Sequence, residues 1–325
     1  MAESFDKEFG AGDLARMLGM DEASSAKSWQ RMRTDPAAIR YRELTPTEDA
    51  QLRGRVAEHL TTAEPPAAGA QAQARWEAGW AEVLDRVRSL VPAPENLKPQ
   101  YIRHRMMRLN GRYIRAENAD FEYRVHEAIK AALFDKYLSG VERIMEIGCG
   151  TGQNLASLDR QFSGIELIGL DWARPALELV ELIAAQRTNP QGTNPMSAQS
   201  FNMLTLEGAE EISITPQTAL ITLHSLEQLG TGFGPLLNYM LGHKPALCLH
   251  LEPIHEFYDP DSEFDRAAID YHHKRNYLIG FHNALVEHEE AGDLSIKEAR
   301  RLNFGSTYHE AYSLIIWRPA GAGSE

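Results

Sequence analysis

The stretch Met145–Asn154, MEIGCGTGQN, sets glycine at 148, 150 and 152 behind one carboxylate, Glu146. Glycine lets a backbone take positive φ and lets a ligand approach it closely. If a strand ends at Ile147, this is a strand-to-helix turn, and the following helix N-terminus offers free N–H groups. Three ligands compete for such a turn. A dinucleotide site wants G-x-G-x-x-G, but position 153 is glutamine. A phosphate loop needs G-K-S/T, which is absent. S-adenosyl-L-methionine carries no phosphate; its carboxylate and amino group can lie against the turn, with acid and carbonyl oxygens meeting the ammonium. Asp171, 19 residues after Gly152 in ELIGLDWARP, can accept hydrogen bonds from both ribose hydroxyls. A nicotinamide enzyme would use such an acid too, so the glycine spacing with Glu146 is what favours the sulfonium.

Other chemistry-bearing residues cluster downstream. TLHSLEQLG puts His224 at a strand end with Glu227 just beyond, and LCLHLEPIHEFYD carries His250, Glu252 and His255. A histidine of reference pKa about 6.5 suits a general base, oriented by a carboxylate. His224, His250 and Glu252 are therefore the catalytic candidates. The alternatives are a histidine bonded to neighbouring backbone and a Glu252 that caps or pairs. A divalent cation is not expected, because only Glu252 and Glu227 offer carboxylates and hard cations want several. FGSTYHEAY adds Tyr308 and His309 as pocket-lining candidates, with a polar turn as the plainer alternative. Lys98–Arg115 holds six Lys/Arg and no acid in a chain of net charge -13. That reversal suggests a lid for a phosphate- or carboxylate-bearing acceptor, with Tyr101, Arg103 and Arg112 as contacts. The other alternative is a solvated loop paired with the acidic remainder.

These residues need a scaffold, and the pattern supplies one. From residue 143 strands alternate with helices: Arg143–Ile147, Glu166–Leu170, Ser200–Met203, Ala219–Leu223 and Ala246–Leu251 as strands. Helices fall at Asn154–Phe162, Pro175–Ala185, Leu226–Leu241 and Phe264–Glu289. Such alternation implies a parallel sheet with right-handed crossovers. Glu298–Phe304 and Ala311–Trp317 have too little chain between them for a crossover, so they form an antiparallel hairpin. Upstream, Gly12–Gly19, Pro46–Leu60, Trp76–Leu90 and a segment from Asp120 read as helices, and Ala63–Ala74 as a linker. The expected organisation is a mostly helical extension or lid over 1–119, an α/β domain over 120–319, and a tail over 320–325.

MEIGCGTGQN followed by LIGLDWA resembles the class I S-adenosylmethionine-dependent methyltransferases, over about residues 121–318. The resemblance implies a Rossmann-like seven-stranded sheet of order 3-2-1-4-5-7-6 with strand 7 antiparallel. It implies that Glu146, Gly148, Cys149, Gly150, Gly152 and Asn154 surround the methionine portion and Asp171 and Trp172 the ribose side. Asn202 and Met203 would lie beside adenine, although the family more often has Asp there. The N-P-P-Y or D-P-P-Y motif of nucleic-acid amino-methylating enzymes is absent after Leu223. The wording KPQYIR, FEYRVHEAI, EIGCGTGQN and GLDW also resembles uncharacterised methyltransferases of bacterial surface-polysaccharide pathways, which is the reason to expect a sugar.

Composition narrows the class further. The net charge of -13 disfavours nucleic acid as a partner. Cys149 and Cys248, the only cysteines, make no CxxC pair. No basic-then-apolar leader opens the sequence and no apolar run approaches a membrane span, so a cytoplasmic protein is expected. The leading expectation is O-methylation of a hydroxyl on a sugar, glycan or other small molecule, with the extension acting as lid or homodimer arm. N-methylation of a small amine and a non-catalytic scaffold on the same fold are the alternatives.

Overall fold

The computed structural model describes residues 4–31, 36–64, 66–90, 96–99, 102, 104–186 and 194–321. In chain order the extension runs β1 (Lys7–Glu8), α1 (Ala11–Leu18), α2 (Glu22–Arg31), β2 (Arg40–Glu43), α3 (Pro46–Thr62), α4 (Gln73–Val87), β3 (Met106–Leu109) and β4 (Arg112–Ala116). Then follow α5 (Phe121–Tyr137), β5 (Arg143–Ile147), α6 (Gln153–Gln161), β6 (Glu166–Asp171), α7 (Arg174–Gln186), β7 (Met196–Ser200) and β8 (Thr218–Leu223). The chain closes with α8 (Gly234–His243), β9 (Leu247–Glu252), α9 (Glu263–Arg275), α10 (Phe281–Ala291), β10 (Leu294–Gly305) and β11 (Tyr312–Pro319).

The strands form one sheet of order β1-β2-β4-β3-β10-β11-β9-β8-β5-β6-β7. From β7 to β10 this is the order 3-2-1-4-5-7-6. The five strands β5 to β9 pair in parallel, and β11 runs antiparallel between β9 and β10. Every residue of β8 and β9 is buried, as central strands covered on both faces require. On one face Ile221 and Leu249 pack against Val125, Ile129 and Leu133 of α5. On the other, Leu220 and Cys248 meet Leu236, Met240, Phe281 and Trp317.

Beside the helices α1 to α4 the extension also carries strands, which were not expected. Four of its strands prolong the sheet beyond β10, making eleven strands among the described residues. The basic stretch is a β-hairpin, β3–β4, turned by Asn110 (φ 51) and Gly111 (φ 75). Two successive positive φ values are what a type I′ turn demands, and Asn-Gly meets them. Two expected helices are interrupted. Leu226–Leu229 is a separate short turn, ended at Gly230 (φ 57, ψ -121) before α8. Asn276, at φ 50, ends α9 ahead of α10. The third parallel strand lies a few residues earlier than expected, at Met196–Ser200.

Besides the β3–β10 pairing, two further contacts help to seat the extension on the sheet. Val83, Leu84 and Val87 of α4 pack against Leu179 and Ile183 of α7. Arg108 of β3, fully buried, donates to the Asp265 carboxylate (3.2 Å) and lies 3.7 Å from Glu310, while Arg301 of β10 bonds the same two acids. Two cations and two carboxylates thus neutralise one another in the interior, as buried charges must. No helix among the described residues is long and apolar enough to cross a membrane.

Candidate active site

A cleft opens at the carboxyl ends of β5, β6 and β8, where α/β sheets place their ligands. Its floor is the glycine turn. Gly148, Gly150 and Gly152 all have positive φ (77, 51 and 72), and each faces a different neighbour. A methyl on Gly148 would stand 2.4 Å from Ser225 Cβ, and one on Gly152 2.7 Å from Ile183 Cδ1. One on Gly150 would stand 3.0 Å from the Trp80 ring. Packing requires the outer two glycines; the middle one opens toward the cleft and the aromatic above it.

Asp171 ends β6 and ties the turn together. Its Oδ2 accepts from Gly150 N–H and its Oδ1 from Ala173 N–H, both at 2.9 Å. Burial raises its pKa, and it borders the cleft with Trp172, Cys149 and Met203. Glu146 lies deeper. Its Oε1 accepts from Asn154 Nδ2 at 2.6 Å, and Asn154 Oδ1 accepts from the buried Lys130 at 2.7 Å. Its Oε2 is buried with no hydrogen-bond partner among the described residues. Burial pushes the Glu146 pKa up to about 8, partly offset by the Asn154 hydrogen bond. An orphaned carboxylate oxygen behind a glycine turn is a seat for an ammonium group, and a cleft-facing aspartate at the second strand suits a ribose. The residues present fit S-adenosyl-L-methionine. Asn202 does not line the cleft; its Oδ1 accepts from Leu204 N–H in a tight loop (3.0 Å), and Phe201 takes the wall position beside Met203.

The three catalytic candidates separate. His224, at φ 58, lines the cleft with its Nε2 buried and without a hydrogen-bond partner among the described residues. Burial, then the charge of Lys130, holds its pKa down to about 4. His250 is fully buried on β9 and absent from the cleft wall. Its Nε2 accepts from Trp317 Nε1 at 2.9 Å, so its Nδ1 carries the proton toward Thr222 Oγ1 at 2.8 Å. Both nitrogens are engaged, and burial lowers its pKa to about 3. Glu252 accepts from the N–H groups of Ser225 (3.0 Å), Leu226 (3.1 Å) and Glu227 (3.4 Å). It caps the turn after β8 and does not reach the cleft.

The expected acceptor contacts form a second group beside the cleft rather than its lining. Arg275 and Tyr277 flank Glu227, whose pKa burial raises to about 8. His309 lies 3.2 Å from His272, Tyr308 stacks on Tyr271 at 5.1 Å, and half-buried His255 faces His273 at 5.2 Å. The basic hairpin is consumed by local partners: Arg112 pairs with Glu43 (2.9 Å), Lys98 with Asp120 (2.7 Å), and Arg108 joins the buried network. Tyr101 and Arg103 lie outside the described residues.

Several cleft residues were not among the sequence candidates, His126, Trp76 and Trp80 among them. His126 of α5 lies 5.6 Å from the His224 ring and 4.8 Å from Tyr312, with both nitrogens buried and without a hydrogen-bond partner among the described residues. Its signal was a polar stripe four residues apart, Glu122, His126 and Lys130; all three are buried, on a helix whose other buried residues are aliphatic or aromatic. Trp76 and Trp80 of α4, assigned to an apolar helix face, stack at 5.4 Å and wall the cleft.

The strand order, the alternating-glycine turn and the placement of Asp171 define a Rossmann-like, class I methyltransferase fold. No protein-family model and no curated protein matches the sequence. Among solved structures the chain is similar to the small RNA methyltransferase HEN1, at 18% identity and TM-score 0.42, over 62% of this chain and 26% of that one. It thus spans about a quarter of the HEN1 chain. It is similar to the [4+2]-cyclase SpnF at 13% identity and TM-score 0.48, over 79% and 98% of the two chains. It is also similar to the mycolic acid cyclopropane synthase CmaA1, complexed with SAH and CTAB, at 16% identity and TM-score 0.38, over 55% and 65%. These likenesses are distant, so chemistry is assigned to this chain from the geometry of its own cleft.

Proposed function

We propose that this protein is an S-adenosyl-L-methionine-dependent methyltransferase acting on a hydroxyl of a small molecule, a sugar being the first class to test. The observation that carries the reading is His224: a neutral imidazole in the same cleft as the glycine turn, with one nitrogen free to accept. When bound, the cofactor supplies an electrophilic methyl on a sulfonium. Glu146 Oε2 holds its ammonium and Asp171 its ribose. His224 Nε2 accepts the proton of the acceptor hydroxyl, which becomes strongly acidic as its oxygen gains the methyl. A base held near pKa 4 therefore suffices and stays in its accepting form at neutral pH. Tyr312 and His126 fix the His224 ring edge-on between them, which orients Nε2. The α4 cover keeps water from the reacting centre.

A radiolabelled methyl screen across sugars, nucleotide sugars, phenols and amines identifies the acceptor. On that acceptor His224→Ala is expected to lower turnover by about 10²-fold or more, with cofactor affinity within about threefold of wild type. Undiminished turnover in His224→Ala would instead favour an amine, which needs no base. Absence of S-adenosylmethionine binding at millimolar concentration would remove the enzyme reading and leave the scaffold.

A further inference from the structure

The acid at the base of the cleft is held by residues from two helices. Lys130 of α5 is 1% exposed. Its ammonium donates to Asn154 Oδ1 at 2.7 Å and pairs with Glu127, one turn back on the same helix. Glu127 is in turn held from α6: Gln153 Nε2 donates to it at 2.8 Å and Ser157 Oγ at 3.1 Å. The lysine is therefore fixed between α5 and the start of α6. Asn154 turns its other end to the acid, and its Nδ2 donates to Glu146 Oε1 at 2.6 Å.

The direction of this chain follows from its first member. An ammonium has donors and no acceptor, whereas a side-chain amide has an acceptor oxygen and a donor nitrogen. Lys130 thus compels Asn154 to face it with Oδ1, which leaves Nδ2 pointing at Glu146. One Glu146 oxygen is thereby occupied, and Oε2 has no hydrogen-bond partner among the described residues. Were the amide reversed, its oxygen would meet the carboxyl group. Only the protonated acid can donate to that oxygen, and a neutral acid is no counter-ion for an ammonium.

Resting on the cofactor assignment above, we propose that Lys130 is a positioning residue: it fixes the direction of the Asn154 amide, and so commits Glu146 Oε1 to the protein and Oε2 to the ammonium of the methionine portion. It acts on that portion through Asn154. Asp171, on the ribose side, bonds Gly150 and Ala173 instead.

The test is calorimetry on the full chain with S-adenosylmethionine and with methylthioadenosine, which lacks the amino-acid end. Lys130→Met is measured in the wild-type background and in an Asn154→Ala background. In the wild-type background it should weaken S-adenosylmethionine about tenfold, as loss of a hydrogen bond to a charged group does, and leave methylthioadenosine within about twofold. In the Asn154→Ala background, itself about tenfold weaker, the same change should cost no more than about twofold, because the residue through which it acts is gone. Thermal melting without ligand checks that each variant is folded, and Lys130→Gln replaces Lys130→Met in the same comparison if the latter melts early. The same loss in both backgrounds, equal losses for the two ligands, or no loss for either would overturn the proposal while leaving the cofactor assignment standing. Failure of wild type to bind S-adenosylmethionine would overturn both.

Discussion

Glu146 gives the cofactor site a pH dependence whose sign and size come from its surroundings. In the free protein burial sets its pKa at about 8, so at pH 6.5 roughly 97% of the molecules carry it protonated. The ammonium of a bound cofactor, against the unpartnered Oε2, favours the ionised form. Binding below pH 7 must then release close to one proton, and affinity must rise by close to tenfold from pH 6 to pH 7. Above about pH 8 the ligand's own α-amino group loses its proton and the rise stops. Titration calorimetry in buffers of different ionisation enthalpy counts the proton directly. Glu146→Gln keeps the Asn154 contact through its amide oxygen but cannot ionise. It should abolish the proton release, flatten the profile, and weaken binding at pH 7.5 by on the order of tenfold to a hundredfold, the value of a hydrogen bond to a charged group. Wild-type binding that releases no proton and does not vary between pH 6 and 7 would refute the reasoning.

The interior yields three further outcomes. Arg108→Met leaves Asp265 and Glu310 buried and short of one cation, so urea unfolding should show a loss of about 3 kcal/mol; a loss under about 1 kcal/mol would mean that the network does not clamp the β3–β4 hairpin. His250→Ala frees Thr222 and Trp317 and should lower the melting temperature, while the folded enzyme keeps turnover within about twofold, unlike His224→Ala. The ligand-free protein should melt highest near pH 6. Buried His224, His250 and His272, held down to about 4, 3 and 3, lose stability as pH falls below their unfolded value of about 6.5. Buried Glu146, Glu227 and Glu252, raised to about 8, 8 and 7, lose it as pH rises from about 4.5 toward 8. A melting temperature still climbing from pH 6 to 8 would contradict these assignments.

Much of the frame was legible because the relevant signals are short-range. Strand runs in β5, β6, β8 and β9 are short stretches made mainly of apolar residues, and the hairpin β10–β11 is dictated by the lack of room for a crossover. The interrupted helices hid behind their own apolar periodicity, although Gly230 and Asn276 occupy conformations that end helices. The β3–β4 hairpin was masked by charge: six cations over Lys98–Arg115 suggested an electropositive surface, yet Asn110–Gly111 between two short apolar-bearing runs was a hairpin signal. The polar strands β1 and β2, Lys7–Glu8 and Arg40–Glu43, carry no pattern of their own and form because β4 offers an edge.

The sequence by itself determined the donor site. Glu146, the three glycines and Asp171 lie within one βαβ unit, where β5 and β6 are neighbours in register, Glu146 opposite Gly169 and Ile147 opposite Leu170. Local spacing and right-handed crossover leave that unit a single arrangement. Only the tertiary structure decided which residues line the rest of the cleft. His224 and His250 are alike in sequence, each near the end of a central strand. Trp317, 67 residues from His250, takes up the latter's free nitrogen, while Nε2 of the former has no hydrogen-bond partner among the described residues. Likewise Trp80 and His126 enter the cleft because α4 packs on α7 and α5 on the sheet. Those contacts are set by the shapes of side chains far apart in the chain, and no local spacing encodes them.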